Sequence, residues 1–344
     1  MLKDYLVQVI AGEHLSRVEA KEAMNVIMSG KANEAQIGAF LTALRMKGET
    51  SAEVTGFAET MRMHATAINC RADTMIDTCG TGGDCKGTFN VSTATAFVLA
   101  GAGLTVAKHG NRGVSSSCGS ADVLTELGVD IDMPPEMVTH AIESINIGFL
   151  YAPVFHTAMK YAAKPRKDLG FRTVFNLLGP LTNPAKASCQ LIGVYDGALT
   201  EKIAESLLGL GVQRAMVVNS FDGMDEISTA APTKVTEVYN GSIKSYTIYP
   251  ADYGFTAGGV NEYQGGSPAD NAAIIICLLQ GALGAKRDIV LINAAAALVV
   301  GGLAEDIRDG INIAAHSIDS GAALSKLEAL KKLSRHCREG KLLL

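Results

Sequence analysis

The sequence predicts an α/β protein, with a small all-helical N-terminal domain followed by a larger α/β domain on a mainly parallel central sheet. Three observations carry this expectation. Residues 1–70 repeat helix-start signals followed by apolar residues at helical spacing. From about Asp73, short β-rich runs alternate with helices, the pattern of parallel strands joined by crossover helices. A glycine-rich loop, Gly80-Thr81-Gly82-Gly83-Asp84-Cys85-Lys86-Gly87, falls between one such strand and an apolar, alanine-rich helix.

In the helical region, Ser16-Arg17-Val18-Glu19 and Thr50-Ser51-Ala52-Glu53 are capping boxes, and Asn33 caps a third helix in which Ile37, Phe40, Leu41 and Leu44 form one stripe. Four short helices cannot bury their stripes alone. They must pack on each other, on the rest of the chain or on a second subunit, so a homodimer through this domain is expected. The strand candidates that follow are Met75–Asp77, Leu104–Ala107, Phe149–Ala152, Leu191–Tyr195 and Ala215–Asn219, with helices at Ser92–Ala102, Ala121–Leu127, Pro135–Ser144 and Leu199–Leu210. Val235–Tyr239 and Lys244–Ile248 flank Asn240-Gly241, a hairpin signal with a type I′ turn. Ser267-Pro268 opens a helix with proline at its first position, and three more helical segments close the chain. Residues 163–184 hold three prolines and one helical run, Phe171–Leu178, and read as a hinge that crosses back to complete the helical domain. The expected division is therefore 1–70 and 73–344.

The bulk numbers exclude several classes. A chain of 344 residues suggests about two domains, and 48% hydrophobic with 19% charged residues is ordinary for a soluble globular protein. A net charge of −5 lacks the basic face a nucleic-acid partner needs. Seven cysteines without C-x-x-C pairs or a secretory leader point to free thiols and a cytoplasmic location. The apolar run from Ile289 to Leu303 is too short to span a bilayer and reads as a buried helix, so no membrane association is expected.

Glycines between a strand and a helix let backbone N–H groups close on an anion, and the helix N-terminus adds partial positive charge. The loop at 80–87 lacks both the dinucleotide spacing and the Gly-Lys-Ser/Thr ending of a Walker loop. As a plain turn it would need one or two glycines, so a phosphate loop is the better reading. Lys108-His109-Gly110-Asn111-Arg112-Gly113-Val114-Ser115-Ser116 follows a strand candidate and so lies at the carboxyl edge of the sheet, where its cation-rich, glycine-rich composition suits a phosphate and a diphosphate. Ser120 can add its hydroxyl at the next helix start. Asp225-Glu226 is a pair of hard carboxylates suited to Mg²⁺, although such a pair alone is more often a surface turn. Arg166, alone, is one cation in a charged loop, and His156, alone, is most often a packing histidine.

Taken together and in order, the helical N-terminal region, Gly-Thr-Gly-Gly-Asp at 80–84, Thr-Phe-Asn-Val-Ser-Thr at 88–93, Lys-His-Gly-Asn-Arg at 108–112, Gly-Ser-Ala-Asp-Val at 119–123, Phe-Asn-Leu-Leu-Gly-Pro-Leu-Thr-Asn-Pro at 175–184 and Asp-Glu at 225–226 resemble the anthranilate phosphoribosyltransferases over essentially the whole chain. The resemblance implies a nucleoside-phosphorylase-like architecture, a dimer through the small domain, and transfer of a phosphoribosyl group from 5-phosphoribosyl 1-pyrophosphate to anthranilate in tryptophan biosynthesis. It further implies that Gly80, Gly83, Asp84, Thr88, Asn90, Val91, Ser92, Thr93, Lys108, His109, Gly110, Asn111, Arg112, Gly113, Val114, Ser115, Ser116 and Ser120 hold the sugar diphosphate. Gly80, Asn111 and Arg166 would face anthranilate, with Arg166 on its carboxylate near Gly179. Ser92, Asp225 and Glu226 would hold two Mg²⁺ ions, and no residue would act as an acid–base catalyst. Cys85 and Cys118 depart from the usual smaller or hydroxylated residues.

The chemistry agrees with the residues. Loss of pyrophosphate from an anomeric carbon builds negative charge on the leaving group, which cations and helix-terminal N–H groups stabilise. The aromatic amine is neutral and needs no strong base. A pyrimidine nucleoside phosphorylase, which shares the architecture, and a non-catalytic paralogue that binds nucleic acid are the alternatives. The first needs a base-reading set in place of Arg166 and Asp225-Glu226; the second needs a basic groove.

Overall fold

The computed structural model describes residues 1–72, 74–113, 117–255 and 259–338. Four helices open the chain: α1 (Leu2–Ile10), α2 (Arg17–Met28), α3 (Glu34–Lys47) and α4 (Ser51–His64). Ser16, Asn33 and Thr50 cap the last three through side-chain bonds to the third helical N–H, each answered by Glu19, Gln36 or Glu53. Ile37, Phe40, Leu41 and Leu44 are buried as one stripe.

After these come β1 (Met75–Gly80), α5 (Val91–Gly101), β2 (Thr105–Gly110), α6 (Ser120–Glu126), α7 (Pro135–Ile145), β3 (Ile147–Tyr151), α8 (Ala152–Phe155), α9 (Lys160–Leu169), α10 (Phe175–Leu178), β4 (Cys189–Gly193), α11 (Thr200–Gly209), β5 (Arg214–Ser220), β6 (Thr233–Tyr239), β7 (Ser242–Ile248), α12 (Pro268–Leu279), α13 (Ala285–Gly301), α14 (Ile307–Asp319) and α15 (Ala322–Arg338). Among the described residues the strands form one seven-stranded sheet in the order β3-β2-β1-β4-β5-β6-β7. β3 to β5 run parallel, and β6 and β7 add an antiparallel hairpin closed at Asn240 (φ 50°) and Gly241 (φ 75°). The chain winds outward from β1 through β2 to β3, then returns to the other side of β1 as β4. That reversal is a topological switch point, and ligands of open α/β sheets bind outside the carboxyl ends of the strands at such points. Gly80 and Gly193 pair there, at the ends of β1 and β4.

Two cores flank the sheet. One gathers α5, α13 and the facing side of the central strands, including Val98, Leu99, Ile292 and Leu298. α13 is buried along nearly its whole length. The other joins α1–α4 to the opposite side through Phe40, Phe57, Ile192, Val217 and Leu207. Ala162, Val174, Phe175, Leu177 and Leu181 belong to this second core, so the stretch after β3 packs on the helices.

That stretch differs from the reading of its sequence. The helical run does not start at Phe171; Phe175–Leu178 is a single turn, and the longer helix is α9, with Pro165 inside it. Proline removes one helical hydrogen bond, but Ala162 and Pro165 bury their side chains against the helical layer, and burial offsets the loss. β3 ends at Tyr151, and Ala152 already begins α8.

A polar post stands inside the helical layer. Glu53 has no exposed surface and accepts from Leu15 N–H (2.9 Å), Thr50 N–H (2.8 Å) and Lys47 Nζ (2.9 Å). Removing the carboxylate leaves Lys47, itself 4% exposed at its side chain, without its opposite charge, though still bonded to the Gly48 carbonyl (3.0 Å), and leaves two amides without partners. Glu53→Ala is therefore expected to cost about 3–5 kcal/mol in urea unfolding, and a loss below about 1 kcal/mol would contradict the role given to this post.

Candidate active site

A cleft of about 340 Å³ opens at the switch point. Gly80, Gly83, Asp84, Thr88, Asn90, Val91, Ser92, Thr93, Lys108, His109, Gly110, Asn111, Arg112, Gly113, Ser120, Arg166, Gly179, Asp225 and Glu226 all line it. Val114, Ser115 and Ser116 lie outside the described residues. Four separate stretches of sequence thus converge on one cavity.

The floor is the glycine loop after β1. Gly82 and Gly83 stand at φ 64° and 82°, a region side-chain-bearing residues avoid, and Thr81 N–H donates to the Gly193 carbonyl (2.9 Å). Gly82 N–H donates to Asp225 Oδ2 (3.0 Å), which ties this loop to the acidic turn after β5. The turn can come this close only because both strand ends lack side chains. A Cβ on Gly193 would fall 1.5 Å from the Asp225 carbonyl oxygen, and one on Gly80 2.5 Å from Asp225 Oδ2. Gly193 was not singled out in the sequence, because its requirement comes from a turn more than thirty residues away.

Lys108 reaches across from β2, 3% exposed, and donates to the Thr78 carbonyl (2.6 Å) and Ser92 Oγ (3.3 Å). Burial lowers its pKa, against the opposing pull of Asp77. Asp77 is fully buried, accepts from His109 N–H (3.1 Å) and Asn183 Nδ2 (2.8 Å), and has its pKa pushed up to about 6 by burial. It braces β1 against β2 beneath the cleft. Asp122 draws Arg112, Gly113 and Gly119 together, accepting from Gly113 N–H (2.8 Å), Gly119 N–H (2.9 Å) and Arg112 (2.8 Å). Ser120 is the first residue of α6, and its hydroxyl donates to the Asn111 carbonyl (3.3 Å).

On the opposite wall, Arg166 lies 5.0 Å over the Phe175 ring, and burial lowers its pKa. Phe175, Asn176 and Pro180 also line the cleft and were not foreseen as site residues, since apolar and amide residues in a proline-rich stretch carry no chemical signature. His156 packs against His109, with ring centroids 5.1 Å apart. Burial lowers both imidazole pKa values, His109 to about 3 and His156 to about 4, so both are neutral at pH 7. Cys85, at φ 58°, is exposed in the glycine loop, and Cys118 is buried beside Asn90, its thiol donating to Asn90 Oδ1 (3.3 Å).

The electrostatics are unbalanced. Burial, and then the charge of Asp84, push the Asp225 pKa up to about 7; burial and Asp225 hold Glu226 well above its usual range. Asp84 Oδ2 and Thr93 Oγ1 are buried without a hydrogen-bond partner. No three carboxylate, imidazole or thiol groups among the described residues close around a common point, so no all-protein metal cage is present. Mg²⁺ does not need one: it takes one or two carboxylates and completes its shell with phosphate and water. An all-oxygen set of hydroxyl and crowded carboxylates, beside a free carboxylate oxygen, fits that ion.

Family models described as the a/b domain and the helical bundle domain of a glycosyl transferase family match residues 72–324 and 3–65. Proteins named anthranilate phosphoribosyltransferase from Moorella thermoacetica and Acetivibrio thermocellus are 53% and 54% identical to this chain, over 96% and 95% of it and 97% and 95% of their own lengths. The crystal structure of anthranilate phosphoribosyltransferase from Thermus thermophilus superposes with a TM-score of 0.92 at 40% identity, covering 96% of this chain and 99% of that one. The Saccharomyces cerevisiae enzyme in complex with PRPP and Mg superposes at 0.90 with 28% identity, covering 97% and 98%. The chain belongs to the anthranilate phosphoribosyltransferase family.

The charge of Asp225, half-buried and crowded by Asp84, makes a test that needs no substrate. Its pKa in the folded chain lies above that of a free carboxyl, so folding favours its protonated form, and stability from this group falls as pH rises from about 4 to about 7. Asp225→Asn keeps the shape and removes the charge. Without divalent ions, the variant is expected to be more stable than the parent by roughly 1–3 kcal/mol at pH 8 and to gain little at pH 5. Equal gains at both pH values, or a loss at pH 8, would contradict the crowding.

Proposed function

We propose that this chain transfers the phosphoribosyl group of 5-phosphoribosyl 1-pyrophosphate to the amine of anthranilate, releasing pyrophosphate, in tryptophan biosynthesis. The observation that carries this is the meeting, in one cleft, of a glycine loop, the buried Lys108, a half-buried acidic pair and Arg166. The family relationship supports the same reading, as does the yeast relative solved with 4-fluoroanthranilate, which superposes at a TM-score of 0.87 with 29% identity.

The roles follow from position. The N–H groups of the 80–84 loop and of the α5 start, with Thr88, Asn90, Val91, Thr93, the 108–116 stretch and Ser120, hold the phosphate and diphosphate oxygens. Ser92, Asp225 and Glu226 would hold up to two Mg²⁺ ions, which when bound offset the charge growing on the leaving diphosphate. Lys108, desolvated and beside Ser92, supplies fixed positive charge at the same end. Arg166, backed by Phe175, pairs with the anthranilate carboxylate, while Asn111 and Gly80 border the same acceptor position. As the new C–N bond forms and the C–O bond breaks, the amine acquires positive charge and sheds its proton to solvent or to the departing diphosphate. No side chain is required as a nucleophile or strong base; holding the two reactants together supplies several kcal/mol.

The helical unit 1–70, completed by 163–184, and the unit 73–344 form the two sides of the cleft in this reading. The exposed apolar side chains of Val7, Ile10, Val18 and Met46 on the helices support a homodimer through that unit. Among the described residues no helix is long and apolar enough to cross a membrane, and a cytoplasmic enzyme without membrane or nucleic-acid partners is the reading we adopt.

Anthranilate fluorescence in the presence of phosphoribosyl pyrophosphate provides the test. Its decay is expected with Mg²⁺ and is abolished by EDTA; an undiminished rate in EDTA would remove the metal role, and consumption of thymidine or uridine with phosphate, but not of anthranilate, would favour the phosphorylase. Arg166→Ala is expected to raise the KM for anthranilate by roughly 30-fold or more, the equivalent of about 2 kcal/mol for a lost charged pair, and to change that for the sugar diphosphate far less. Equal losses for both would contradict its place on the acceptor side.

A further inference from the structure

The glycine loop has no side chain between Thr81 and Asp84 with which to fix its own backbone. Residues 81–83 are held from outside by four contacts, and from within the loop the Cys85 thiol adds a bond to the Gly83 carbonyl (3.5 Å). Two come from the end of β4: Thr81 N–H donates to the Gly193 carbonyl (2.9 Å), and Tyr195 N–H donates to Thr81 Oγ1 (3.1 Å). The third is the bond from Gly82 N–H to Asp225. In the fourth, the guanidinium of Arg172 donates to the Gly83 carbonyl.

Arg172 sits between α9, which carries Arg166, and α10, which begins at Phe175. The contact therefore joins the segment read as the acceptor wall to the loop read as the donor floor. The guanidinium is itself fixed, with Cζ 4.1 Å from the centroid of the Tyr195 ring. A Cβ on Gly83 would fall 2.8 Å from Nη2, so the approach also depends on glycine. A planar guanidinium can stack on the ring and still aim an N–H in its plane at a carbonyl, which an ammonium cannot do in the same way. Arg172 is not among the residues that line the cavity and so acts through Gly83.

We propose that Arg172 is a positioning residue that holds the donor loop in its diphosphate-binding shape from the acceptor side of the cleft. The proposal rests on the function given above. Without Arg172 the loop samples other shapes, and apparent donor affinity drops by the fraction of chains in the competent one. The acceptor contacts of Arg166 and Asn111 do not run through Gly83, so acceptor affinity is spared.

Steady-state kinetics of the full chain and of Arg172→Ala, Arg172→Lys and Tyr195→Leu, with Mg²⁺ and both substrates varied, test this alongside thermal melting. Arg172→Ala is expected to raise the KM for phosphoribosyl pyrophosphate roughly tenfold or more, and that for anthranilate less than about threefold. Tyr195→Leu should shift the donor KM in the same direction by less, and Arg172→Lys should recover part of the donor affinity. An unchanged donor KM, an equal rise in both KM values, or a fall in kcat that merely tracks a lower melting temperature would overturn the proposal. If Arg172→Ala does not fold, Arg172→Lys and Tyr195→Leu decide by the same split. An unmutated chain that turns over neither substrate would defeat the functional reading and this inference with it, whereas an active one with unshifted donor KM in the variants would defeat this inference alone.

Discussion

The cleft depends on how closely the turn holding Asp225 and Glu226 approaches the carboxyl ends of β1 and β4. Hydrogen-sized residues at Gly80 and Gly193 let a loop from β5 lie directly against the strand ends, and that approach carries two carboxylates into a desolvated space already occupied by Asp84. Like charges crowded together out of water are costly, and here they are opposed among nearby side chains by Lys108. The folded chain thus holds an arrangement of charge that, in the proposed function, a cation-bearing diphosphate would complete. Stability surrendered at a binding site is a common feature of active sites, where groups needed by the ligand are held ready before it arrives.

The topology gives that crowding its direction. β1 and β4 are neighbours in the sheet but lie more than a hundred residues apart in the chain, and the helical layer reaches the same edge through α9 and α10. The groups proposed for the donor come from the strand ends and the start of α5. Arg166, proposed for the acceptor, comes from a segment packed on the helices. A reaction between two bound molecules needs such a division, because each must be gripped by its own elements while the reacting atoms meet between them.

Much of this was legible in the sequence, and the exceptions have physical reasons. Capping boxes at Ser16 and Thr50 and the Asn240-Gly241 turn are local, so their geometry follows from neighbouring residues. The 80–84 and 108–113 loops declare themselves by glycines and cations beyond what a turn requires. Asp225-Glu226 alone was ambiguous, because an acidic pair says nothing of burial; it became informative only beside the phosphate loops. α9 was missed because Pro165 argues against a helix that tertiary burial nevertheless sustains. Gly193, Phe175 and Arg172 matter through partners distant in sequence, which no local pattern encodes.

The most direct test is a crystal structure with phosphoribosyl pyrophosphate and Mn²⁺, the ion located by its anomalous scattering. The account predicts a manganese peak bonded to a carboxylate oxygen of Asp225 or Glu226, with the diphosphate lying over residues 80–84 and beside Lys108. A sugar diphosphate bound elsewhere, or manganese remote from both carboxylates, would contradict it.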